Sequence, residues 1–205
     1  MLKEKLKQLV SACFTGIWIE THEFQEAINE IADLCREQEW IGVTWDVGLG
    51  LRIGNGEPVS DATDPLAAIR AVGELNSPEG TVLLVMNNLH KFVSSVEIMQ
   101  ALQHQLLKGK QNRTIIIGLS PKASIPDELE KMFIVVEHAL PSREQLEAIA
   151  REIATEEDEL PEDTQLQTIL DAAAGLTRLE AENAFSLSLV PVSYTHLTLP
   201  TILLV

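Results

Sequence analysis

Residues 81–86 read TVLLVM and residues 113–119 read RTIIIGL, and these two apolar runs decide the fold. Short runs that are almost continuously apolar are typical of strands buried on both faces of a parallel sheet. Three further segments have the same character, at residues 16–20 (GIWIE), 40–47 (WIGVTWDV) and 134–137 (IVVE). Because amphipathic stretches separate these five strands, the sequence predicts an α/β fold with helices on both faces of a parallel sheet.

The stretches between the strands have apolar residues at helical spacing. The predicted helices cover residues 24–39, 66–75 and 96–108, with a short one within 124–133. Asp64 followed by Pro65 is a strong start signal for the second of them, since Asp caps a helix and Pro fits its first turn. The segment 48–63 is rich in Gly, Pro, Asn and Asp, so we predict a loop there.

From Ser142 onward the pattern is helical only. Ser142 with Gln145 has the spacing of a capping box, and Gly175 is a typical residue just past a helix end. The predicted helices cover residues 143–157 and 164–174, and a third begins near residue 177. The sequence therefore predicts an α/β domain over 1–141 and a partial helical lid domain over 142–190.

Composition excludes several classes of function. The 205 residues carry a formal net charge of −16, with 45% hydrophobic and 22% charged residues. This apolar content fits a folded core, while the negative charge opposes phosphate backbones and anionic membranes, so we predict no direct nucleic-acid or membrane partner. Cys13 and Cys35 form no CxxC pair, and the charged, amphipathic residues 1–10 lack a signal-peptide core, so a cytoplasmic location is expected.

The last residues of the chain, 191–205, have no charge and differ from the rest in composition. The string VSYTHLTLPT within them resembles the translation of a transposon mosaic-end adaptor used in sequencing libraries. We therefore interpret 191–205 as a non-native translated tail on a truncated gene whose natural product continues beyond Val190. The alternative is a genuine Thr/Leu-rich β-strand, which the alternation of residue types would permit.

Two long segments resemble AAA+ ATPases: IPDELEKMFIVVEHALPSREQLEAIAREIA at residues 125–154 and LDAAAGLTRLEAENA at residues 170–184. In that superfamily the fifth strand ends in Leu-Pro and a helical lid follows. More narrowly, GIWIETHE, DPLAAIRAV, GKQNRTIII and GLTRLEAENAFSLSLV together resemble the N-terminal region of a plastid- and bacteria-type AAA+ family, whose members place a degenerate AAA-like domain before a functional one. The resemblance implies a three-layer sandwich of P-loop NTPase type, with strand order 5-1-4-3-2 and a partial lid.

The phosphate-binding loop of such a module is missing from its expected place. The strand at residues 16–20 runs directly into Thr21-His22-Glu23-Phe24, and GxxxxGK[ST] occurs nowhere in the sequence. That loop works because its glycines let backbone N–H groups surround the phosphates and its Lys reaches the β- and γ-phosphates. We therefore expect that this domain does not hold ATP in the usual way.

Other positions can be compared with the family by residue type. The resemblance places the Walker B position at Asn87 or Asn88, where Asn neither binds Mg²⁺ strongly nor takes a proton. It places sensor-like residues at Ser120 and Arg178, although Ser-Pro is also ordinary turn chemistry and Arg178 fits a solvated lid helix. The arginine-finger region reads Glu-Lys-Met at residues 130–132, without Arg.

His22 and Glu23 follow the first strand, at the edge where α/β folds place ligands. They are candidates for contacts to a small molecule, and the alternative is that Thr21 caps the next helix while Glu23 favours its dipole. His90, His104 and His138 show no metal-ligand spacing. We predict no catalytic residue and no metal ligand.

The leading hypothesis is therefore a non-catalytic N-terminal interaction or regulatory module of an AAA family ATPase. On this hypothesis the fragment is not itself an enzyme, although its full-length parent is an ATPase. ATP and Mg²⁺ belong to a missing downstream domain, and the partners are that AAA+ domain and neighbouring protomers. One alternative is unconventional nucleotide or small-molecule binding at the edge with His22, Asn87 and Ser120. Another is a stand-alone acidic adaptor.

Overall fold

The structure is a computed structural model that describes residues 2–53, 57–60, 63–75, 80–154 and 164–189. It divides into two compact units, with the break between Ala139 and Leu140. The tail at 191–205, for which the sequence predicts adaptor origin, lies outside the described residues. None of the helices in the described part of the chain has the length and apolarity needed to cross a bilayer.

The first unit contains a sheet of seven strands. They are β1 (Gly16–Glu20), β2 (Ile41–Asp46), β3 (Gly50–Ile53), β4 (Glu57–Ser60), β5 (Val82–Asn87), β6 (Thr114–Ser120) and β7 (Ile134–Glu137). The strand order across the sheet is β4-β3-β2-β5-β6-β1-β7. The strands β2, β5, β6, β1 and β7 are parallel neighbours in that sequence. They are the five strands predicted from apolar runs, and their order 5-1-4-3-2 is confirmed.

The prediction of a loop over residues 48–63 is wrong, because β3 and β4 extend the sheet there as antiparallel strands beside β2. The carboxylate of Asp46 accepts hydrogen bonds from the amides of Gly48 (2.7 Å) and Leu49 (2.8 Å), which reverses the chain. Leu51 is then fully buried in the core. The Gly-rich composition therefore marks the turn of a hairpin, and Pro58 is tolerated because β4 is an edge strand.

Seven α-helices accompany the strands in the residues that the structure describes. They are α1 (Leu2–Ser11), α2 (Phe24–Glu37), α3 (Pro65–Val72), α4 (Val96–Asn112), α5 (Arg143–Ile153), α6 (Thr164–Ala172) and α7 (Arg178–Leu189). The Asp64 cap on α3 is confirmed, since its carboxylate accepts from the amides of Leu66 and Ala67. No helix was predicted where α1 forms. The short helix expected within 124–133 is absent, and this segment forms turns.

Alternating side chains of the central strands supply two separate apolar layers, one on each face of the sheet. Trp18, Leu84 and Ile116 lie in a core with α3 and α4, whereas Ile17 and Leu83 lie in a second core with α1 and α2. Both layers are fully buried along these strands, which explains why the strands read as continuous apolar runs. The result is the three-layer arrangement that the sequence predicts.

The second unit is built from α5, α6 and α7 around a small apolar core of its own. The predicted capping box is present: the Ser142 hydroxyl accepts from the Gln145 amide, and the Gln145 side chain accepts from the Ser142 amide. Gly175 has a φ of 90°, in the left-handed region that favours glycine, and it lies in the turn between α6 and α7.

We expect Gly109→Ala to destabilise the protein. Gly109 lies in α4 against the sheet, and an added Cβ would overlap the carbonyl oxygen of Thr114, a backbone atom that cannot turn away. Alanine favours a helix interior by about 1 kcal/mol, but overpacking costs about 1–3 kcal/mol, and a backbone clash is at the upper end. Urea unfolding should show a lower midpoint for this variant. The exposed neighbour Lys108→Ala is the control, and equal midpoints for the two variants would refute the close approach.

Cys35 and Cys13 should differ in reactivity. Cys35 is buried between α2 and the sheet, and burial raises the pKa of its thiol to about 12. Because the thiolate is the reactive form, a thiol reagent at pH 8 should modify Cys35 only when the structure opens, and the half-buried Cys13 should react first. Mass spectrometry of the labelled native protein measures this order. Equal labelling rates in the native state would contradict it.

Candidate functional site

The site-related residues predicted in the first unit come together at one edge of the sheet. Parallel pairing places Glu20 beside Ser120, and Asn87 beside Leu119, so the carboxyl ends of β1, β5 and β6 meet. We call this region the carboxyl edge; it consists of the last residue of each strand and the residues that follow it, namely 20–23 at β1, 87–88 at β5 and 120–123 at β6. His22, Glu23, Asn87, Asn88 and Ser120 all lie on it. Arg178 lies in the helical unit.

The β1 corner, residues 20–23, is short and closed by its own hydrogen bonds. Only Thr21, His22 and Glu23 join β1 to α2. The Thr21 amide donates to the carbonyl of Ser120 (2.8 Å), and the Glu23 amide donates to the hydroxyl of Thr21 (2.8 Å). A phosphate loop needs a longer glycine-rich turn with free amides. These two amides are already bonded within the protein.

The suggestion that Thr21 caps α2 needs correction. The residue that precedes the helix in cap position is Glu23, and its side chain makes no capping hydrogen bond. Thr21 lies two residues earlier and closes the turn instead, because its hydroxyl can accept from an amide two positions along the chain.

The β1 corner is also anionic. Glu20 ends β1, and its carboxylate accepts from the amide of Ala123 (2.7 Å), which joins the corner to the segment after β6. Glu23 is only 8% exposed and lies immediately before α2. A carboxylate in that place complements the positive end of the helix dipole, where phosphate binds in nucleotide sites. A triphosphate would therefore meet negative charge here.

Ser120, the sensor-like position after β6, has partners inside the protein. The indole N–H of Trp18 donates to its hydroxyl oxygen (2.7 Å), and the hydroxyl donates to the carbonyl of Lys122 (2.8 Å). Ser120 is 2% exposed, and Trp18 packs edge-on against Phe133. The hydroxyl therefore satisfies a buried indole that would otherwise lack an acceptor.

Asn87 and Asn88 end β5 without supplying a carboxylate. Asn88 is exposed and has φ 54° and ψ 34°, a left-handed conformation that Asn tolerates, before a single 3₁₀ turn at Leu89–Lys91. Within that turn, the buried Nδ1 of His90 has no hydrogen-bond partner among the described residues. Burial lowers the pKa of His90, and the charge of Lys91 acts in the same direction. His90 was not a predicted site residue.

A hydrogen-bonded chain of side chains adjoins the carboxyl edge at β7. The hydroxyl of Thr21 lies 2.8 Å from Nδ1 of His138, and Nε2 of His138 lies 3.3 Å from a carboxylate oxygen of Glu30 on α2. Sequence reasoning found no role for His138 or Glu30. Glu30 and His138 are 108 positions apart, and only the pairing of β7 with β1 brings His138 to this place.

Arg178 is engaged within the helical unit. Its guanidinium pairs with Glu182 on the same helix (2.7 Å) and with Glu152 on α5 (2.8 Å). Its side chain is 35% exposed, so these ion pairs contribute modestly to stability. They still occupy the charge that a nucleotide-sensing arginine would present. In the described part of the chain, no group of three His, Cys, Asp or Glu residues is placed to hold a metal ion.

Five parallel strands in the order 5-1-4-3-2, with helices on both faces and a helical unit after them, define an AAA+ module of the P-loop NTPase fold. A family model described as the N-terminal domain of SpoVK-like AAA ATPases matches residues 2–138. The model of the second domain of the same family matches residues 144–203. The chain belongs to the SpoVK-like AAA ATPases. The second match extends into the tail, whose adaptor origin remains a prediction.

Solved structures share the fold at low sequence identity. PCH-2 from C. elegans matches with a TM-score of 0.59 and 14% identity over 97% of this chain and 65% of that one. The FIGL-1 AAA domain in complex with ADP matches with a TM-score of 0.52 and 14% identity, over 84% of this chain and 59% of that one. AMPPCP-bound DnaA from Aquifex aeolicus matches with a TM-score of 0.54 and 13% identity, over 91% of this chain and 58% of that one. The chain thus spans less than two thirds of each. A search of curated proteins finds no match.

We expect Ser120→Ala to destabilise the fold by about 1–3 kcal/mol, because it leaves the buried indole N–H of Trp18 without an acceptor. Ser124→Ala, exposed in the segment that follows β6, should change stability by less than about 0.5 kcal/mol. Urea unfolding followed by tryptophan fluorescence compares the two variants. If Ser120→Ala is as stable as the control, the hydroxyl does not satisfy the indole.

Proposed function

We propose that this chain is a non-catalytic interaction and regulatory module in the N-terminal part of an AAA family ATPase, and that a downstream domain of the parent protein binds ATP and Mg²⁺. The observation that carries the proposal is the β1 corner. Three residues replace the phosphate loop, the amides of Thr21 and Glu23 are bonded internally, and the carboxylates of Glu20 and Glu23 lie in the same segment.

The residues at the other nucleotide-related positions support the same proposal. Asn87 and Asn88 offer no carboxylate for Mg²⁺ or for a hydrolytic water. The hydroxyl of Ser120 serves the indole of Trp18, and Arg178 pairs with two carboxylates of its own unit. Each position that would read or cleave a nucleotide is occupied by an internal contact or lacks the required chemistry.

On this proposal the module works through its surfaces. It packs against its own downstream AAA+ domain or against a neighbouring protomer, and transmits their nucleotide-driven motion. The rigidity of a seven-stranded sheet with two buried layers suits that role, because a close-packed core transmits displacement. The protein is expected to act in the cytoplasm, without nucleic acid or membrane as a partner.

The first test is ATP hydrolysis by the purified chain. We expect a rate equal to the buffer blank with Mg²⁺ present, since the β1 corner lacks the glycine-rich loop and its Lys, and two of its amides are already bonded. An AAA module that has the complete GxxxxGK[ST] loop serves as the positive control for the assay. Turnover that co-purifies with the chain and survives further purification would end the proposal.

A second candidate is unconventional binding of a nucleotide or small molecule at the carboxyl edge. It is favoured by the exposed imidazole of His22 and by the buried Nδ1 of His90, which has no partner within the described segments. Calorimetry with ATP–Mg²⁺ separates the candidates. Heat that is lost in His22→Ala and in Asn87→Ala, but kept in the exposed control His104→Ala, would favour this second function. Absence of heat excludes it for this nucleotide.

The gene sequence beyond codon 190 tests the position of the module in its parent. A GxxxxGK[ST] motif downstream, in the same reading frame, is the result that the proposal expects. A stop codon shortly after residue 190 would instead support the third candidate, a stand-alone acidic adaptor.

A further inference from the structure

Thr21, His138 and Glu30 occupy the place where the chain leaves the first unit. His138 is the residue after β7, and Ala139, the last residue of the first unit, follows it directly. The amide of His138 donates to the carbonyl of Glu20 (2.9 Å), and its ring reaches the hydroxyl of Thr21 (2.8 Å). Main chain and side chain of His138 are therefore both held by the first two residues of the β1 corner.

The hydrogen bonds around His138 have a definite direction when its imidazole is neutral. The carboxylate of Glu30 can only accept, so Nε2 carries the ring proton and Nδ1 is an acceptor. The hydroxyl of Thr21 must then donate to Nδ1, and its lone pair accepts from the amide of Glu23. In this series of hydrogen bonds every donor has one acceptor, and the orientation of each side chain depends on that of the next one.

The side chains of Thr21 and His138 are shielded from water, so the loss of one of their hydrogen bonds is costly. The side chain of His138 is 7% exposed and Thr21 is 4% exposed, whereas the Glu30 side chain is 29% exposed. Loss of one buried partner leaves the others unsatisfied, and this costs more than the hydrogen bond itself contributes. The loss of one hydrogen bond among Thr21, His138 and Glu30 therefore weakens the others.

We propose that Thr21, His138 and Glu30 form a linker latch, which fixes the start of the inter-unit connection to the β1 corner. The latch makes the connection sensitive to the state of that corner. A displacement of the β1 corner that moves Thr21, or of α2 that moves Glu30, releases the ring of His138 and loosens the polypeptide at Ala139. This inference does not rest on the proposed function, because it holds whether or not the domain binds nucleotide.

Hydrogen exchange of the full chain tests the linker latch at the amide of His138. We expect Thr21→Val, which removes the hydroxyl and keeps the branched shape, to raise exchange there by about tenfold or more relative to the amide of Ile117 in central β6. Glu30→Ala should do the same. Thr21→Ser should leave the amide of His138 as protected as in the native protein, since it keeps the hydroxyl. Thr15→Val, at the other end of β1, is the matched control.

The ring of His138 gives a second measurement that a purely structural contact would not affect. Nitrogen chemical shifts should show the Nε2–H tautomer in the native chain and a mixture of tautomers in Glu30→Ala, because the acceptor that selects this tautomer is then gone. The proposal is overturned if Thr21→Val changes the relative exchange at His138 by less than about twofold, or if the native ring carries its proton on Nδ1.

Discussion

The structure depends on how the chain turns from its first strand into the helix that covers it. In this protein the turn is three residues long, and it makes hydrogen bonds within the protein. The Thr21 amide bonds to Ser120, the Glu23 amide bonds to the Thr21 hydroxyl, and that hydroxyl bonds to His138, which follows β7. A segment in which the amides of Thr21 and Glu23 are already bonded has few donors to offer a phosphate. The same bonds tie the β1 corner to both neighbouring strands without a ligand.

This self-sufficiency explains the residues at the remaining positions. In an ATP-binding module, the polar groups at the strand ends stay available for the nucleotide, and the protein accepts the cost of leaving them unpaired. Here Ser120 satisfies an indole, and Glu20 satisfies the amide of Ala123. The family assignment and the solved structures establish the AAA+ fold. The loss of nucleotide chemistry is our interpretation of how the same strand ends are used.

The sheet could be predicted because burial on both faces leaves a direct trace in the sequence, namely strands such as β5 and β6 that are apolar at nearly every position except their ends. The hairpin at β3 and β4 could not, because Gly, Asn and Pro mark hairpin turns as well as loops. The hydrogen bonds at the carboxyl edge could not be predicted either. Trp18 bonds to Ser120, which is 102 positions away in the sequence, and Thr21 bonds to His138, which is 117 positions away. Only the strand order brings such distant residues into contact.

The most direct test of the account is a crystal structure of the chain soaked with a non-hydrolysable ATP analogue and Mg²⁺. The account predicts that the β1 corner keeps its internal hydrogen bonds, with no phosphate density beside residues 20–23. Phosphate oxygens within hydrogen-bonding distance of the amides of Thr21, His22 or Glu23 would contradict it, because those donors would then be serving a nucleotide.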